Sequence, residues 1–220
     1  MPKPIASAFF VYIGTKLPSK LAGPIRKMAE RTDLGFWYQR FGRVEVVPSR
    51  FDLLEIASEI LNYDFVYLEF GVAWGDSLKF MQGLDRNKTI EMHGFDTFEG
   101  LHEPHHSEIS EGSFNLFGNI PNLKGVNFHK GFFNETFLGT ESFLNKRLLV
   151  MCDADLFSST SYVLQTIKPS LKIDDLIYFD DLHIPNQERQ AVDQAIRSGL
   201  KLALIARSYE GRSALFKVEI

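Results

Sequence analysis

The sequence predicts an α/β fold, a mostly parallel sheet with helices on both faces, and three observations carry that prediction. Short apolar runs of strand length alternate with segments of helical spacing from Phe51 to the C-terminus, the pattern of successive strand and helix units. The stretch Val66–Gly75, VYLEFGVAWG, runs from apolar residues through one acidic residue and over two glycines. It reads as a buried strand entering a ligand-binding turn. Four of the five strands expected to run parallel end in carboxylates, and open sheets of this class bind ligands outside the carboxyl ends of their strands.

Composition sets the outer limits. A chain of 220 residues suffices for one domain that buries roughly 70% of its unfolded surface without a metal or disulfide staple. Hydrophobic residues at 45% and charged residues at 24% are ordinary globular values, which excludes a disordered or fibrous chain. A net charge of -4 and a pI of about 5.9 argue against nucleic acid as the main partner. Cys152 is the only cysteine; beside Leu149, Val150 and Met151 it reads as a core thiol, and a reducing, cytoplasmic setting is expected. The apolar run IASAFFVYIG after Lys3 is too short to span a bilayer and lacks a small-residue cleavage site, so it is expected to pack, without stable membrane insertion. Residues 1–48 as a whole, with one helix through Leu21–Arg31, are expected to form a cover or lid segment ahead of a domain over 49–220.

The elements follow in order. Ser49 and Asp52 make a capping box for a helix through Phe51–Leu61, in which Leu53, Leu54, Ala57 and Ile60 recur at helical spacing. The central strand comes next, then a helix over Ser77–Gly83 and a strand over Ile90–Phe95 ending at Asp96. Asp96 follows Gly75 by 21 residues, the spacing at which an acidic side chain holds a ribose diol. The turn has neither the G-x-G-x-x-G of dinucleotide enzymes nor the Lys-Ser/Thr of a phosphate-gripping loop. It is expected to take a nucleoside, not a pyrophosphate.

Leu101–Pro121 is polar, aperiodic and holds His102, His105 and His106; it reads as a long lid loop. A third strand, Val126–His129, stops at Gly131, with Phe132 and Phe133 where a planar base could stack. RLLVMC at Arg147–Cys152 is a fourth strand, ending at Asp153. Ser158, Ser159 and Thr160 offer N-caps for a helix to Leu171. A fifth strand, Leu176–Phe179, ends at Asp180 and Asp181, and a helix over Gln187–Ser198 and strands over Lys201–Ala206 and Ser213–Val218 complete the chain.

Two kinds of chemistry are thus expected in one cleft. Glu69 and Asp96 flank the glycine turn and suit a nucleoside with hydroxyls and an amine. Asp153, Asp180 and Asp181 stand on two neighbouring strands and repel one another unless a cation or shared protons compensate. Hard oxygen donors favour Mg²⁺ or Ca²⁺ over zinc.

EFGVAWGDS, GFDTFEGL, GFFNET, DADLFSST and FDD, spread over about Phe51–Ser198, together resemble the macrocin O-methyltransferase family. The resemblance implies a class I methyltransferase fold of Rossmann-like type, with seven strands and the last antiparallel. It implies S-adenosylmethionine as cofactor, with contacts at Glu69, Gly71, Gly75, Ser77 and Asp96. Further contacts fall at Thr97, Gly131, Phe132 and Asp153. It also implies Mg²⁺ held by Asp153, Asp180 and Asp181, Asp155 as general base, and a small-molecule hydroxyl acceptor, a sugar or glycosylated metabolite. A catechol satisfies the same scheme. The chain departs from the family pattern at His102, usually Pro, and at Leu182, commonly aromatic, both where an acceptor would be enclosed. A non-catalytic nucleoside-binding relative, an NAD-dependent oxidoreductase and a homodimer remain open at this point.

Overall fold

The computed structural model describes residues 16, 18–84, 89–104, 110–139, 143 and 145–219. The apolar run expected to pack at residues 5–14, and His105 and His106 of the expected lid, lie outside them. The described chain falls into two compact units divided between Arg40 and Phe41.

The first unit is built on one helix, α1 (Ser19–Gln39), which follows Pro18 and carries Pro24 inside it. It runs further than the expected Leu21–Arg31 because Leu34 and Tyr38, four apart, continue its spacing. No helix among the described residues is long and apolar enough to cross a membrane.

The second unit begins with β1 (Glu45–Val47) and α2 (Arg50–Ile60). The capping box forms as expected: the Asp52 carboxylate accepts from Ser49 N–H at 2.7 Å, and Ser49 Oγ accepts from Asp52 N–H. β2 (Phe65–Phe70), α3 (Asp76–Gly83), β3 (Ile90–Asp96), β4 (Val126–Lys130) and the short α4 (Phe133–Thr136) follow. β5 (Arg147–Cys152), α5 (Phe157–Ile167), β6 (Leu176–Phe179), α6 (Glu188–Arg197), β7 (Lys201–Ser208) and β8 (Ala214–Glu219) complete it.

The sheet has eight strands in the order β1-β7-β8-β6-β5-β2-β3-β4. β8 is antiparallel to β6 and β7, and the other pairings are parallel. The eighth strand, absent from the expectation, is β1, which pairs with β7 at the edge. Its three residues are too few to show a period, so nothing in the sequence marks it. A second correction concerns α5. None of Ser158, Ser159 and Thr160 caps it; the helix starts after Leu156, and the distant Gln187 Oε1 accepts from Phe157 N–H at 2.8 Å.

β2 is buried at all six positions, as a parallel strand covered on both faces must be. On one face Leu53, Leu54 and Ala57 of α2 and Leu78 and Met81 of α3 share a core with Tyr67, Leu149, Met151 and Tyr178. β2 is also where the winding reverses, since β3 lies on one side of it and β5 on the other. The crevice of an open α/β sheet opens at that switch point, between the ends of β2 and β5.

Candidate active site

A cavity of about 360 Å³ lies at this switch point, within the range of small-molecule sites. Glu69, Asp96, Asp153, Asp155, Asp180 and Asp181 all line it. The strand-end carboxylates do converge.

The glycine turn owes its shape to the protein itself. Gly71 has φ +92°, and a Cβ there would stand 1.8 Å from the Asp153 carbonyl oxygen. The close approach it permits is between β2 and the residue after β5, and Gly71 also lines the cavity. Gly75 has φ +77° and immediately precedes α3; a Cβ there would meet Leu123 Cδ1 at 2.9 Å. Asp96 holds the turn from the other side. Its Oδ2 accepts from Val72 N–H at 2.8 Å and Ala73 N–H at 2.9 Å, and Oδ1 from Phe98 N–H at 2.7 Å. An ionised carboxylate offers about four acceptor positions, so the backbone takes most of what Asp96 has. Glu69 is 1% exposed and accepts from the Tyr67 hydroxyl at 2.5 Å. Burial pushes its carboxyl up to about 8, against the Tyr67 hydrogen bond and the charge of Arg50.

The acidic cluster is compensated by two arginines. Arg50 Nη1 lies 3.3 Å from Asp153 Oδ2 and 3.3 Å from Asp180 Oδ2, and Nη2 donates to Ser77 Oγ at 3.2 Å. Asp180 Oδ1 accepts from the Tyr178 hydroxyl and from Ser213 Oγ. Arg212 donates to Asp181 Oδ1 at 2.8 Å, and His183 Nδ1 stands 3.2 Å from the same oxygen. Burial and the charges of Asp180 and Asp155 push the Asp153 carboxyl up. Burial, then a hydrogen bond with Asp181, push Asp155 up to about 9. Asp181 goes the other way: burial is outweighed by hydrogen bonds from His183, Asp155 and Arg212, which hold it ionised. Asp155 and Asp181 thus share one proton, with Asp155 carrying it.

The sequence places the three implied magnesium ligands correctly at the strand ends, yet as they stand they do not fit one ion. Asp153 and Asp180 face Arg50 while Asp181 faces Arg212. No group of three or more His, Cys, Asp or Glu converges as a metal site among the described residues.

Of the remaining expected contacts, Ser77, Thr97 and Phe132 line the cavity, whereas Gly75 and Gly131 stand outside its lining. Gly131, just after β4, instead extends that strand's pairing with β3, its N–H donating to Asp96 O at 3.0 Å. Trp74, His102 and Phe114 form an exposed aromatic rim. Ala73, Phe114 and Asp155 hold left-handed φ angles of 45°, 63° and 57°, a backbone cost of about 1 kcal/mol or more each that surrounding structure must over-determine.

Arg50, Arg212 and Glu188 were not anticipated. A signal for Arg50 existed: a helix that leads into a parallel strand begins at that strand's carboxyl edge, so the first residue after the Ser49 cap points there. Arg212 follows the same logic, since β8 runs antiparallel and starts at the active edge. Glu188 is fully buried at the start of α6. It accepts from Ala154 N–H at 3.1 Å and Asp181 N–H at 2.8 Å, which ties the loop after β5 to the loop after β6.

No protein-family model matches the sequence, and no curated protein sequence matches it. Solved structures do match. The O-methyltransferase NovP is 21% identical over 76% of this chain and 78% of its own, with a TM-score of 0.55. The calicheamicin methyltransferase CalS11 is 21% identical over the same shares, with a TM-score of 0.54. At such identities the likeness is one of architecture, and it establishes that the chain shares the Rossmann-like α/β fold of these two proteins.

Proposed function

We propose that the protein is an S-adenosylmethionine-dependent O-methyltransferase acting on a hydroxyl of a sugar or glycosylated metabolite. The observation that carries this reading is that one cavity is lined both by the turn after β2, with Glu69, Asp96 and Phe132 around it, and by the carboxylates Asp155 and Asp181 beside Arg212. The two halves suit the two partners of a methyl transfer. Glu69 offers a buried carboxyl to a nucleoside hydroxyl or amine, and Phe132, 45% exposed, offers a face for a planar base. S-adenosylmethionine, when bound, supplies the electrophilic methyl group, taken by the acceptor oxygen in line with departure of the neutral thioether.

The chain's own groups position the acceptor and remove its proton. Arg50, Asp180 and Arg212 present donors and acceptors close together, which suits a hydroxyl-rich molecule. CalS11 is described as a TDP-rhamnose 3'-O-methyltransferase, and that chemistry fits the same array. Asp181, the ionised member of the pair beside Arg212, takes up the hydroxyl proton directly or through Asp155, and the pair becomes neutral as the methyl group transfers. Near-attack positioning supplies up to roughly 7–11 kcal/mol, and a placed base about 10²–10⁴-fold. Magnesium enters this reading only where Arg50 gives way to it.

Calorimetry with S-adenosylmethionine and with NAD, followed by methyl transfer onto a panel of glycosides, tests the reading. Binding of the sulfonium cofactor but not NAD, with label moving to a glycoside, is the expected result. Asp155→Asn should then lower kcat by about 10²–10⁴ with cofactor affinity unchanged. The self-compensation of the cluster by Arg50 and Arg212 favours a second reading, a nucleoside-binding protein without turnover. Tight cofactor binding with no transfer to any glycoside or catechol would establish it.

A further inference from the structure

We propose that helix α1 is a membrane-surface docking element whose partner is an anionic lipid bilayer. Projected at about 100° per residue, Leu21, Ile25, Met28, Thr32 and Phe36 share one arc of the helix, and no charged residue falls on it. The four large apolar side chains on this arc are between 41% and 64% exposed. Lys20, Lys27 and Arg31, all exposed, line one flank of the arc. The acids of the helix, Glu30 and Asp33, lie on the other side, where Glu30 accepts from Arg26 at 2.9 Å. A groove lined by Gly23, Pro24, Lys27, Met28, Arg31 and Thr32 marks where basic flank and apolar arc meet.

That arrangement is the one by which a helix lies in a bilayer interface, apolar face among the acyl chains and cations among the headgroups. The charge argues for lipid in particular. The whole chain carries -4 and is repelled by an anionic surface except where a basic row faces it, so the row on α1 selects both the partner and the orientation. The sequence just upstream, residues 5–14, is also uncharged.

The experiment is sedimentation of the full chain with vesicles of phosphatidylcholine alone and of phosphatidylcholine with about one third phosphatidylglycerol. The protein is expected to pellet with the anionic vesicles only, and to be released as salt rises to about 0.5 M, where screening shortens the reach of surface charge. Lys27→Gln with Arg31→Gln should weaken partitioning by roughly 25-fold, on the order of fivefold for each basic residue. Met28→Ser with Phe36→Ser should remove it while the circular dichroism spectrum is kept. Should the apolar variant lose helix, the charge variant and the salt titration decide alone. No binding to anionic vesicles, or equal binding to neutral ones, overturns the proposal. So does a wild-type dimer that the serine variant takes apart in the ultracentrifuge while neither form pellets.

Discussion

Gly71 lines the cavity and at the same time lets β2 approach the residue after β5. Its φ of +92° is strained for any other residue, and a Cβ would overlap the Asp153 carbonyl, main chain that cannot step aside. Gly71→Ala is therefore expected to destabilise the fold by about 3 kcal/mol or more, through backbone strain plus collision. Gly75→Ala meets side chains and not main chain, Leu123 at 2.9 Å and Pro121 at 3.5 Å, and should cost about 1 kcal/mol. Urea midpoints of the two variants test this, and equal shifts would refute it. Arg50 is the other residue on which the site turns. With its guanidinium between Asp153 and Asp180, a divalent ion must displace a cation already hydrogen-bonded there. Arg50→Met leaves those carboxylates repelling each other, which is what draws a hard cation in. Titration calorimetry should show weak or no Mg²⁺ uptake by the wild-type protein without acceptor, and saturable uptake by the variant. Tight, saturable uptake by the wild type would show that Arg50 yields readily.

Between elements, the site depends on Glu188. Its two oxygens take the Ala154 and Asp181 N–H groups, so α6 fixes the spacing of the loops after β5 and β6. Glu188→Gln keeps the shape but turns a donor toward one of those N–H groups, leaving it unsatisfied at a cost of roughly 1–3 kcal/mol. Lower thermal stability and reduced transfer should appear together, and a variant of wild-type stability would show that the loops hold without it. The helix, strand and capping pattern around the central strand was legible because burial on both faces, helical spacing and a capping box are local signals. The partners of the carboxylates were not. Arg50 meets Asp180 across 130 residues of sequence, and the cap of α5 comes from Gln187. Such pairings depend on which elements the sheet brings together, and only the fold's handedness and edge logic could have pointed to them.

Across the whole molecule the site's strand-end acids were legible as a set, because parallel strands all end at one edge, while their protonation was not, because it follows from burial. That burial has a consequence for stability. Glu69 is buried in β2 with its carboxyl held up to about 8, from an ordinary value of 4.5, and burial also raises Asp153 and Asp155. A group with a raised folded-state value retains a proton that the unfolded chain releases, so its stabilising contribution is complete below the unfolded value and is lost as pH rises toward the folded one. Asp181 and Glu91, whose values are lowered, act with the opposite sign but only in acid, as pH falls through the ordinary carboxylate range. Below about pH 6.5 the raised carboxyls are opposed by His129, whose value burial and the neighbouring His93 lower from 6.5, so that its contribution grows as pH rises to that value; above it the raised carboxyls act alone, and stability should decline with rising pH. Each such carboxyl contributes up to roughly 1.4 kcal/mol per pH unit over its window. Glu69→Gln isolates one of them, since the amide is a neutral mimic of the protonated acid and its oxygen still accepts from Tyr67. The variant should match the wild type near pH 5 and exceed it near pH 8, in urea midpoints measured at both. Parallel pH curves for the two proteins would mean that Glu69 folds as a carboxylate, with Arg50 as its effective counter-charge.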